Sequence, residues 1–179
     1  MLTMNKDIKK KINILIKEIS HKKEDALEEL YNLTYKIIFS FLKRYTNNIE
    51  IIKDTISMTF ITIIEKATSR LFYINCFSWM LTISKNHLFN NLRKFNQSYY
   101  IDETKEFDNL TYEVSDKSLD VKLAINNLSI IDKQILYLKY HQDLNINSIA
   151  KILSLSPSTI KRKLKTIYNK LQEDLNDGK

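Results

Sequence analysis

The stretch "INSIAKILSLSPSTIKRKLKTIYNKL", residues 146–171, decides the fold of the C-terminal part of the chain. Its first eight residues predict a short helix that buries Ile149 and Ile152 on one face. A tight turn follows, and a second helix begins near Pro157, where a first helical turn tolerates proline and Ser156 precedes it as a cap. A short helix, a tight turn and a second helix form the helix-turn-helix pattern of DNA-binding proteins.

The second helix separates its apolar residues from its basic ones. Four apolar residues recur every three or four positions and face the first helix: Ile160, Leu164, Ile167 and Leu171. The predicted DNA contacts lie on the opposite face and at the N-terminal end: Ser158, Thr159, Lys161, Arg162, Lys165 and Asn169. Hydroxyl groups there can approach base edges, and the longer cations reach bases or phosphates. Positive charge alone is equally typical of a solvated structural helix, but the turn and the cap favour DNA binding.

The composition excludes several classes of enzyme. The 179 residues contain one glycine, Gly178. P-loops and dinucleotide-binding loops need glycine where φ is positive, so P-loop NTPases and Rossmann enzymes are excluded. Three scattered histidines and the single Cys76 make no zinc-ligand spacing. No Ser-His-Asp set or carboxylate pair has a supporting context, and we expect a protein that is not an enzyme and that uses no metal and no cofactor.

Charge and cysteine usage indicate the partners and the compartment. The formal net charge of +7 favours a polyanion such as nucleic acid or an anionic membrane surface. A single cysteine rules out an intramolecular disulfide and suits a reducing cytoplasm. No apolar run approaches the roughly 20 residues of a membrane span. The N-terminal residues predict an amphipathic helix with Ile8, Ile12, Ile16 and Ile19 on one face, not a signal peptide.

Hydrophobic periodicity predicts three further long helices, over residues 25–46, 50–66 and 76–95, with a loop rich in aromatics at 68–75. The helix over 50–66 is rich in Ile and Thr, which also suits a strand, but its length favours a helix. The charged residues within 98–120 are mainly acidic and the range keeps no helical period, as is typical of a flexible linker. The predicted fold is therefore all-α, with two helical modules, residues 1–97 and 122–179, joined by an acidic flexible linker at 98–121.

The segment "AINNLSIIDKQILYLKYHQDLNINSIAKILSLSPSTIKRKLKTIYNKLQEDL", residues 124–175, resembles the C-terminal, promoter-recognising region of bacterial RNA polymerase sigma factors. It is most similar to the small extracytoplasmic-function group. That family's usual pattern "IA-x-x-L-G-[IV]-S" followed by "[GS]-T-V-K-S-R-L" appears here from Ile149 to Ser156 and from Ser158 to Leu164. Ser154 stands at the glycine of the family's turn, so we expect a less favourable backbone conformation there.

The N-terminal half resembles the same family in the same order. "KDTISMTFITII", residues 53–64, stands where the family has "EDLVQEVFLRAW": Asp54 and Phe60 match, and Ser57-Met58 replace the family's Gln-Glu pair. "FSWMLTISKNHLFNNLRK", residues 77–94, matches the family's next conserved helix at Trp79, Ile83, Asn86 and Arg93. Lys85 replaces an arginine of that pattern, and Cys76 replaces its first phenylalanine.

The resemblance implies a role for each module. The N-terminal module is expected to dock on the β′ clamp helices of core RNA polymerase through Asp54, Ser57, Met58 and Phe60. The same module is expected to open the promoter −10 element, where Phe72, Tyr73 and Asn75 capture bases and Lys85, Asn86, Asn90, Arg93 and Lys94 hold phosphates. The C-terminal module is expected to bind the −35 element and the β flap. An anti-sigma factor is a further partner that the resemblance allows, and no membrane contact is implied.

Three alternatives remain open at this point. Core burial suits Phe72 and Tyr73 as well as DNA contact does, and Trp79 is expected to pack in the core. The chain as a whole also fits a stand-alone helix-turn-helix regulator, although a receiver domain would need strands and glycines. A degenerate sigma homologue that binds polymerase without recognising promoters is the third. Because the loss of the family's Gln-Glu pair at Ser57-Met58 weakens polymerase docking more than DNA recognition, the converse is open as well.

Overall fold

The computed structural model describes residues 5–69, 74–95 and 119–177, and the regular secondary structure in these ranges is helical throughout. The helices are α1 (Lys6–Ser20), α2 (Asp25–Leu42), α3 (Ile49–Ala67), α4 (Cys76–Phe95), α5 (Leu119–Asn126), α6 (Ile130–Leu136), α7 (Ile146–Leu153) and α8 (Pro157–Asp177). A π-helical segment, Tyr137–His141, follows α6 directly. The predicted all-α fold is confirmed for the described residues, and the strand alternative for residues 50–66 is wrong.

The chain divides into two units, Met1–Glu106 and Phe107–Lys179, called here the N-terminal and the C-terminal unit. The predicted linker, 98–121, lies almost wholly outside the described residues. Its last three residues belong to α5, which begins at Leu119. Because α5 contacts α8 and buries Ala124, we attribute this extension of the helix to tertiary packing, which the acidic composition of the range does not predict.

The N-terminal unit is a bundle of four helices, α1 to α4, in which each helix contacts the other three. The predicted apolar stripes form its core, with buried Ile12 and Ile16 in α1, Leu30, Ile37 and Phe41 in α2, Ile52, Ile56 and Ile63 in α3, and Leu81 and Leu88 in α4. The first N–H groups of a helix lack intrahelical partners, and side chains supply them here. Asn5 accepts a hydrogen bond from the Ile8 N–H at 2.8 Å, and Asn48 accepts one from the Ile51 N–H at 3.2 Å.

The threonines of α3 form a polar seam against α4. Thr55, Thr59 and Thr62 are all buried. The Thr59 hydroxyl donates to the Thr55 carbonyl at 2.7 Å, and the Asn91 side chain donates to the Thr55 hydroxyl at 3.2 Å. The Thr62 hydroxyl and His87 Nε2 are hydrogen-bonded at 2.8 Å. Each buried hydroxyl therefore has a partner, either a backbone carbonyl of α3 or a side chain of α4, which removes the desolvation cost that an unpaired one would carry.

The C-terminal unit begins its second helix with the predicted cap, since the Ser129 hydroxyl accepts a hydrogen bond from the Asp132 N–H at 3.3 Å. The sequence predicts one continuous helix from Ser129 to about Gln142, but the α-helix ends at Leu136 and the π-helical segment continues it. The Gln142 N–H bonds the Tyr137 carbonyl at 3.0 Å, and the buried Gln142 amide donates to the Tyr137 hydroxyl at 2.7 Å. These two hydrogen bonds close the π-helical turn, which is wider than a turn of α-helix.

The turn between α7 and α8 has the strained conformation that the missing glycine predicts. Ser154 lies in the left-handed region with φ 57° and ψ 38°. The Leu155 N–H bonds the Ala150 carbonyl at 2.9 Å, and the Ser154 N–H bonds the Lys151 carbonyl at 3.3 Å, which together make a Schellman motif. The turn is thus closed by ordinary helix-ending bonds, although a Cβ atom in this region costs free energy.

Candidate nucleic-acid interface

Helix α8 has one apolar face and one basic face, as the sequence predicts. Ile160, Leu164 and Ile167 are at most 7% exposed and pack inside the C-terminal unit, and Leu171 is half-buried. The predicted DNA-contacting residues lie away from this core: Ser158, Lys161, Arg162, Lys165 and Asn169 are exposed, and Thr159 is half-buried. Their positions agree with a surface role, and their contact with DNA stays a prediction.

The basic face of α8 carries uncompensated charge. Within the described residues, Lys161, Arg162 and Lys165 form no ion pair, whereas Lys11, Lys23 and Lys53 each lie within 3.1 Å of a glutamate oxygen. Unpaired cations that share one helical face create a positive surface potential. Such a face is arranged to meet an anionic partner.

The N-terminus of α8 presents a small cluster of hydroxyl groups. The Ser156 hydroxyl accepts a hydrogen bond from the Thr159 N–H at 3.1 Å and therefore caps the helix as predicted. The same oxygen lies 2.8 Å from the hydroxyl of Ser158 and 2.8 Å from that of Thr159. The cap thus fixes two predicted base-contacting side chains at the positive end of the helix dipole, where phosphate oxygens are stabilised.

One cation of α8 differs from the others. Lys163 Nζ lies 3.0 Å from Asp132 Oδ1 at the start of α6. The second carboxylate oxygen of Asp132 accepts a hydrogen bond from the Ser129 hydroxyl at 2.6 Å. Sequence reasoning did not find this cluster, because its residues are 31 positions apart and the pattern of α8 alone does not assign Lys163 a partner.

Helix α4 carries the residues predicted to contact the −10 element. Asn86, Asn90, Arg93 and Lys94 are exposed and follow at helical spacing, so they share one face. Lys85 is half-buried, with Nζ 5.4 Å from the centre of the Phe89 ring. The half-buried Trp79 packs partly in the bundle, as expected for it.

The segment just before α4 is described only in its last two residues. Phe72 and Tyr73 lie outside the described residues. Asn75 is exposed and has a left-handed backbone with φ 55°, and Ile74 beside it is 63% exposed. The side-chain oxygen of Asn13, in α1, accepts a hydrogen bond from the Cys76 N–H at 3.0 Å. Asn13 therefore fixes the first residue of α4, a role that local sequence does not indicate.

Helix α3 carries the four residues predicted to contact polymerase, three of them on its surface. Asp54, Ser57 and Met58 are exposed, but Phe60 is only 6% exposed and its ring centre lies 5.0 Å from that of Tyr31 in α2. The ring of Phe60 packs between α2 and α3, and the contact of Phe60 with polymerase stays a prediction. It forms part of the wall of a cavity of about 340 Å³, together with Glu24, Leu27, Glu28 and Tyr31.

Two apolar residues of α3 that the sequence analysis did not single out extend the exposed surface. Ile61 and Ile64 are 47% and 46% exposed, and Met58 is 43% exposed. Large apolar side chains grouped on a surface mark protein-binding sites more often than isolated ones do. The acid at Asp54 and these apolar side chains together are typical of a surface that another protein covers.

Few other features of the described residues suggest chemistry. Burial, with a smaller contribution from Lys66, lowers the pKa of His87 below its ordinary value. No three His, Cys, Asp or Glu side chains in the described ranges come together as a group that could hold a metal ion. Across the same ranges, no helix combines the length and the apolar character needed to cross a membrane.

The comparisons with known proteins all find similarity to sigma factors. Residues 124–173 match the family model of sigma-70, region 4, and this segment contains the helix-turn-helix. The chain is 26% identical over 164 residues to the RNA polymerase sigma factor YlaC of Bacillus subtilis (strain 168), covering 86% of this chain and 94% of that protein. Its fold is similar to that of the Bartonella quintana sigma factor RpoE, solved in complex with the anti-sigma factor NepR, with a TM-score of 0.56 and 20% identity over 85% of this chain and 98% of that chain.

Proposed function

We propose that the chain is an RNA polymerase sigma factor of the sigma-70 family, extracytoplasmic-function type, and that its two modules divide the work of transcription initiation between them. Residues 1–97 bind core polymerase and the −10 element, residues 122–179 bind the −35 element, and residues 98–121 link the two. The observation that carries this proposal is the basic, unpaired face of α8 within the segment that matches sigma-70, region 4.

For the −35 element, the proposed contact is α8 in the major groove. The apolar stripe holds α8 against the rest of its unit, so the exposed face is free for DNA. Arg162 has the planar fork that suits a guanine edge, whereas a lysine is a point charge that suits a phosphate. Ser158 and Thr159 at the helix start are short enough to let the backbone approach the duplex.

For the −10 element, we propose that Asn75 and the two aromatic residues before it capture bases of the non-template strand. Base capture needs flat apolar surfaces for stacking and amides for base edges, and this segment supplies both residue types. The exposed face of α4 then holds the phosphates through Arg93 and Lys94. The left-handed backbone of Asn75 and the hydrogen bond from Cys76 to Asn13 support this proposal, because they fix the point at which the segment enters α4.

Core polymerase is the proposed partner of the α3 surface, defined by Asp54, Ser57, Met58, Ile61 and Ile64. Its acid suits the basic β′ clamp helices that the family resemblance implies, and its apolar side chains supply the area that a stable contact needs. The β flap is the proposed second polymerase contact, made by the C-terminal unit. We include an anti-sigma factor among the partners, because the fold relative from Bartonella quintana was solved with one.

We further infer that the chain catalyses no reaction itself and acts in the cytoplasm, where RNA polymerase works. In this proposal the polymerase supplies the nucleotidyl-transfer chemistry. The sigma factor supplies the binding free energy that selects and opens a promoter.

The proposed function is tested by transcription with core polymerase freed of other sigma factors and a library of promoter-sized DNA fragments. We expect transcripts with defined start sites only when the chain is added, and we expect them to share −10 and −35 sequences. Lys161→Ala/Lys165→Ala should reduce these transcripts, whereas Lys170→Ala, which removes an exposed α8 charge away from the proposed DNA face, should not.

The result also separates the two alternatives. A stand-alone regulator would bind DNA fragments without core polymerase and would initiate no transcript with it. A degenerate homologue would bind core polymerase and leave the transcripts unchanged. Either outcome would contradict the proposal.

A further inference from the structure

We propose that Lys163 does not contact DNA and that, paired with Asp132, it is a positioning residue that sets the orientation of α8 for recognition of the −35 element. This inference rests on the proposed function of the C-terminal unit. The sequence pattern placed Lys163 neither in the apolar stripe of α8 nor among its predicted DNA contacts.

Asp132 is held in a fixed position. It is 7% exposed, and both of its carboxylate oxygens have a partner: Oδ1 lies 3.0 Å from Lys163 Nζ, and Oδ2 accepts from the Ser129 hydroxyl at 2.6 Å. Its N–H in turn donates to the same hydroxyl at 3.3 Å. A buried carboxylate without partners is strongly destabilised, so Asp132 keeps this arrangement as long as the unit is folded.

Lys163 lies on a different side of α8 from the proposed DNA contacts. Residues two apart on a helix do not face each other, and Lys163 is two positions from both Lys161 and Lys165. Its side chain is 32% exposed, and its ammonium group lies against the carboxylate of another helix. The charge of Lys163 is thus neutralised within the protein and is not available to replace a counterion on a phosphate.

The pair gives α8 a directional contact that its apolar stripe lacks. Apolar contacts at Ile160, Leu164 and Ile167 stabilise burial but are non-directional, and they permit a small rotation of α8 about its own axis. A charge-assisted hydrogen bond to a fixed carboxylate limits that rotation. A bidentate contact between Arg162 and a base edge depends on such alignment, so loss of the pair should reduce discrimination more than affinity.

The test measures two quantities for holoenzyme assembled from core polymerase and the full chain. One is the ratio of affinities for a promoter with its own −35 element and for the same promoter with that element scrambled. The other is the slope of log affinity against log salt concentration. Wild type, Lys163→Met, Lys163→Arg, Asp132→Asn, the double variant Lys163→Met/Asp132→Asn and the matched control Lys165→Met are compared, and the fold of each is checked by circular dichroism.

We expect Lys163→Met to lower the affinity ratio by about tenfold, the size of one lost base-edge contact, and to leave the salt slope unchanged. Lys165→Met should reduce the magnitude of the slope by about 0.9, as one lost phosphate contact does, and leave the ratio unchanged. Lys163→Arg keeps the pair and should restore the ratio. Asp132→Asn should lower the ratio by a similar factor, and the double variant should lower it no further, because both changes break one interaction.

Two results would overturn the inference. If Lys163→Met reduces the slope as Lys165→Met does, Lys163 contacts a phosphate. If folded Lys163→Met and Asp132→Asn both keep the wild-type ratio, the pair does not orient the helix. Failure of the proposed function is a separate result, since wild-type holoenzyme would then show no preference for the intact −35 element. Should Lys163→Met fail to fold, the isosteric Asp132→Asn still decides: a lowered ratio with an unchanged slope supports the orienting role, and a wild-type ratio overturns it.

Discussion

The side-chain oxygen of Asn13 accepts a hydrogen bond from the backbone N–H of Cys76 at 3.0 Å, across 63 positions of the chain. Cys76 is the first residue of α4, and the first N–H groups of a helix have no partner within it. Asn13 therefore acts as a helix cap supplied by another helix. The contact fixes the end of the segment that is proposed to capture promoter bases.

Replacing Asn13 by alanine should loosen the start of α4. Loss of a capping side chain costs about 1 kcal/mol, which raises the population of the locally open state about fivefold. Cys76 is the single cysteine of the chain and is buried, so its rate of labelling by a maleimide under native conditions measures this opening. Asn13→Asp retains an acceptor oxygen and serves as the control. Equal labelling rates for Asn13→Ala and wild type would refute the capping role.

The left-handed Ser154 predicts a substitution that stabilises the C-terminal unit. With φ 57°, its Cβ atom is crowded, and glycine relieves that crowding at the cost of a more flexible unfolded chain. Ser154→Gly should raise the free energy of unfolding by about 0.5–1 kcal/mol. Ser158→Gly, the same exchange in the first turn of α8, should lower it, because glycine weakens a helix. Urea unfolding of both variants checks the signs, and a destabilised Ser154→Gly would contradict the prediction.

The N-terminal unit should lose stability in mild acid through His87. Burial lowers the pKa of His87 in the folded state, and the positive charge of Lys66 adds to this effect. The unfolded chain binds a proton near pH 6.5, so acid favours unfolding. The stabilising contribution is complete above about pH 7.5 and is lost as the pH falls through 6.5 towards the lowered pKa. His87→Gln should reduce the loss of thermal stability between pH 7.5 and 5.5, whereas the exposed His21→Gln should not change it.

The sequence predicted the faces of the helices well, because burial follows local periodicity. The stripe at Ile160, Leu164 and Ile167 is buried where the spacing places it, and the strained turn at Ser154 follows from the glycine that the family has there. These features depend on residues only a few positions apart, so pattern and local backbone preference decide them.

Features that depend on distant parts of the chain were not predicted. The Asn13–Cys76 and Asp132–Lys163 contacts join residues 63 and 31 positions apart, and no local pattern indicates them. Phe60 was assigned to polymerase binding because it matches a family motif, and that motif does not indicate the packing of Tyr31 against its ring. The family match gave the identity of that residue and not the direction of its side chain.

A charge reversal at Asp54 should weaken association with core polymerase. Asp54 is exposed on α3, near the exposed Met58, so the change removes no internal contact of the core and brings like charges together at the proposed basic partner. Asp54→Lys should lower the affinity on the order of tenfold, with a loss of about 1–2 kcal/mol for a reversed interfacial charge. Asp174→Lys makes the same charge change on the exposed surface of α8 and is the matched control. Unchanged affinity of Asp54→Lys in competition with a second sigma factor would place the polymerase contact elsewhere.

The last prediction concerns Arg162, the one arginine on the proposed DNA-binding face of α8. A guanidinium bonded to both acceptors of a guanine discriminates against other bases by about 1–3 kcal/mol, whereas a cation on a phosphate is indifferent to sequence. Arg162→Ala should therefore relax the preference at a single base pair of the −35 element. The preference at the neighbouring pairs should stay as it is.

Arg162→Lys tests whether the planar fork matters beyond the charge, since lysine keeps the charge and loses the bidentate geometry. We expect it to lose the same base preference as Arg162→Ala while keeping the salt dependence of wild type. The measurement is binding of each holoenzyme to promoters substituted one base pair at a time across the −35 element. If the affinity instead falls by the same factor for every promoter and the preference at each position is kept, Arg162 contacts the DNA backbone, and the base-recognising role passes to another residue of the same face.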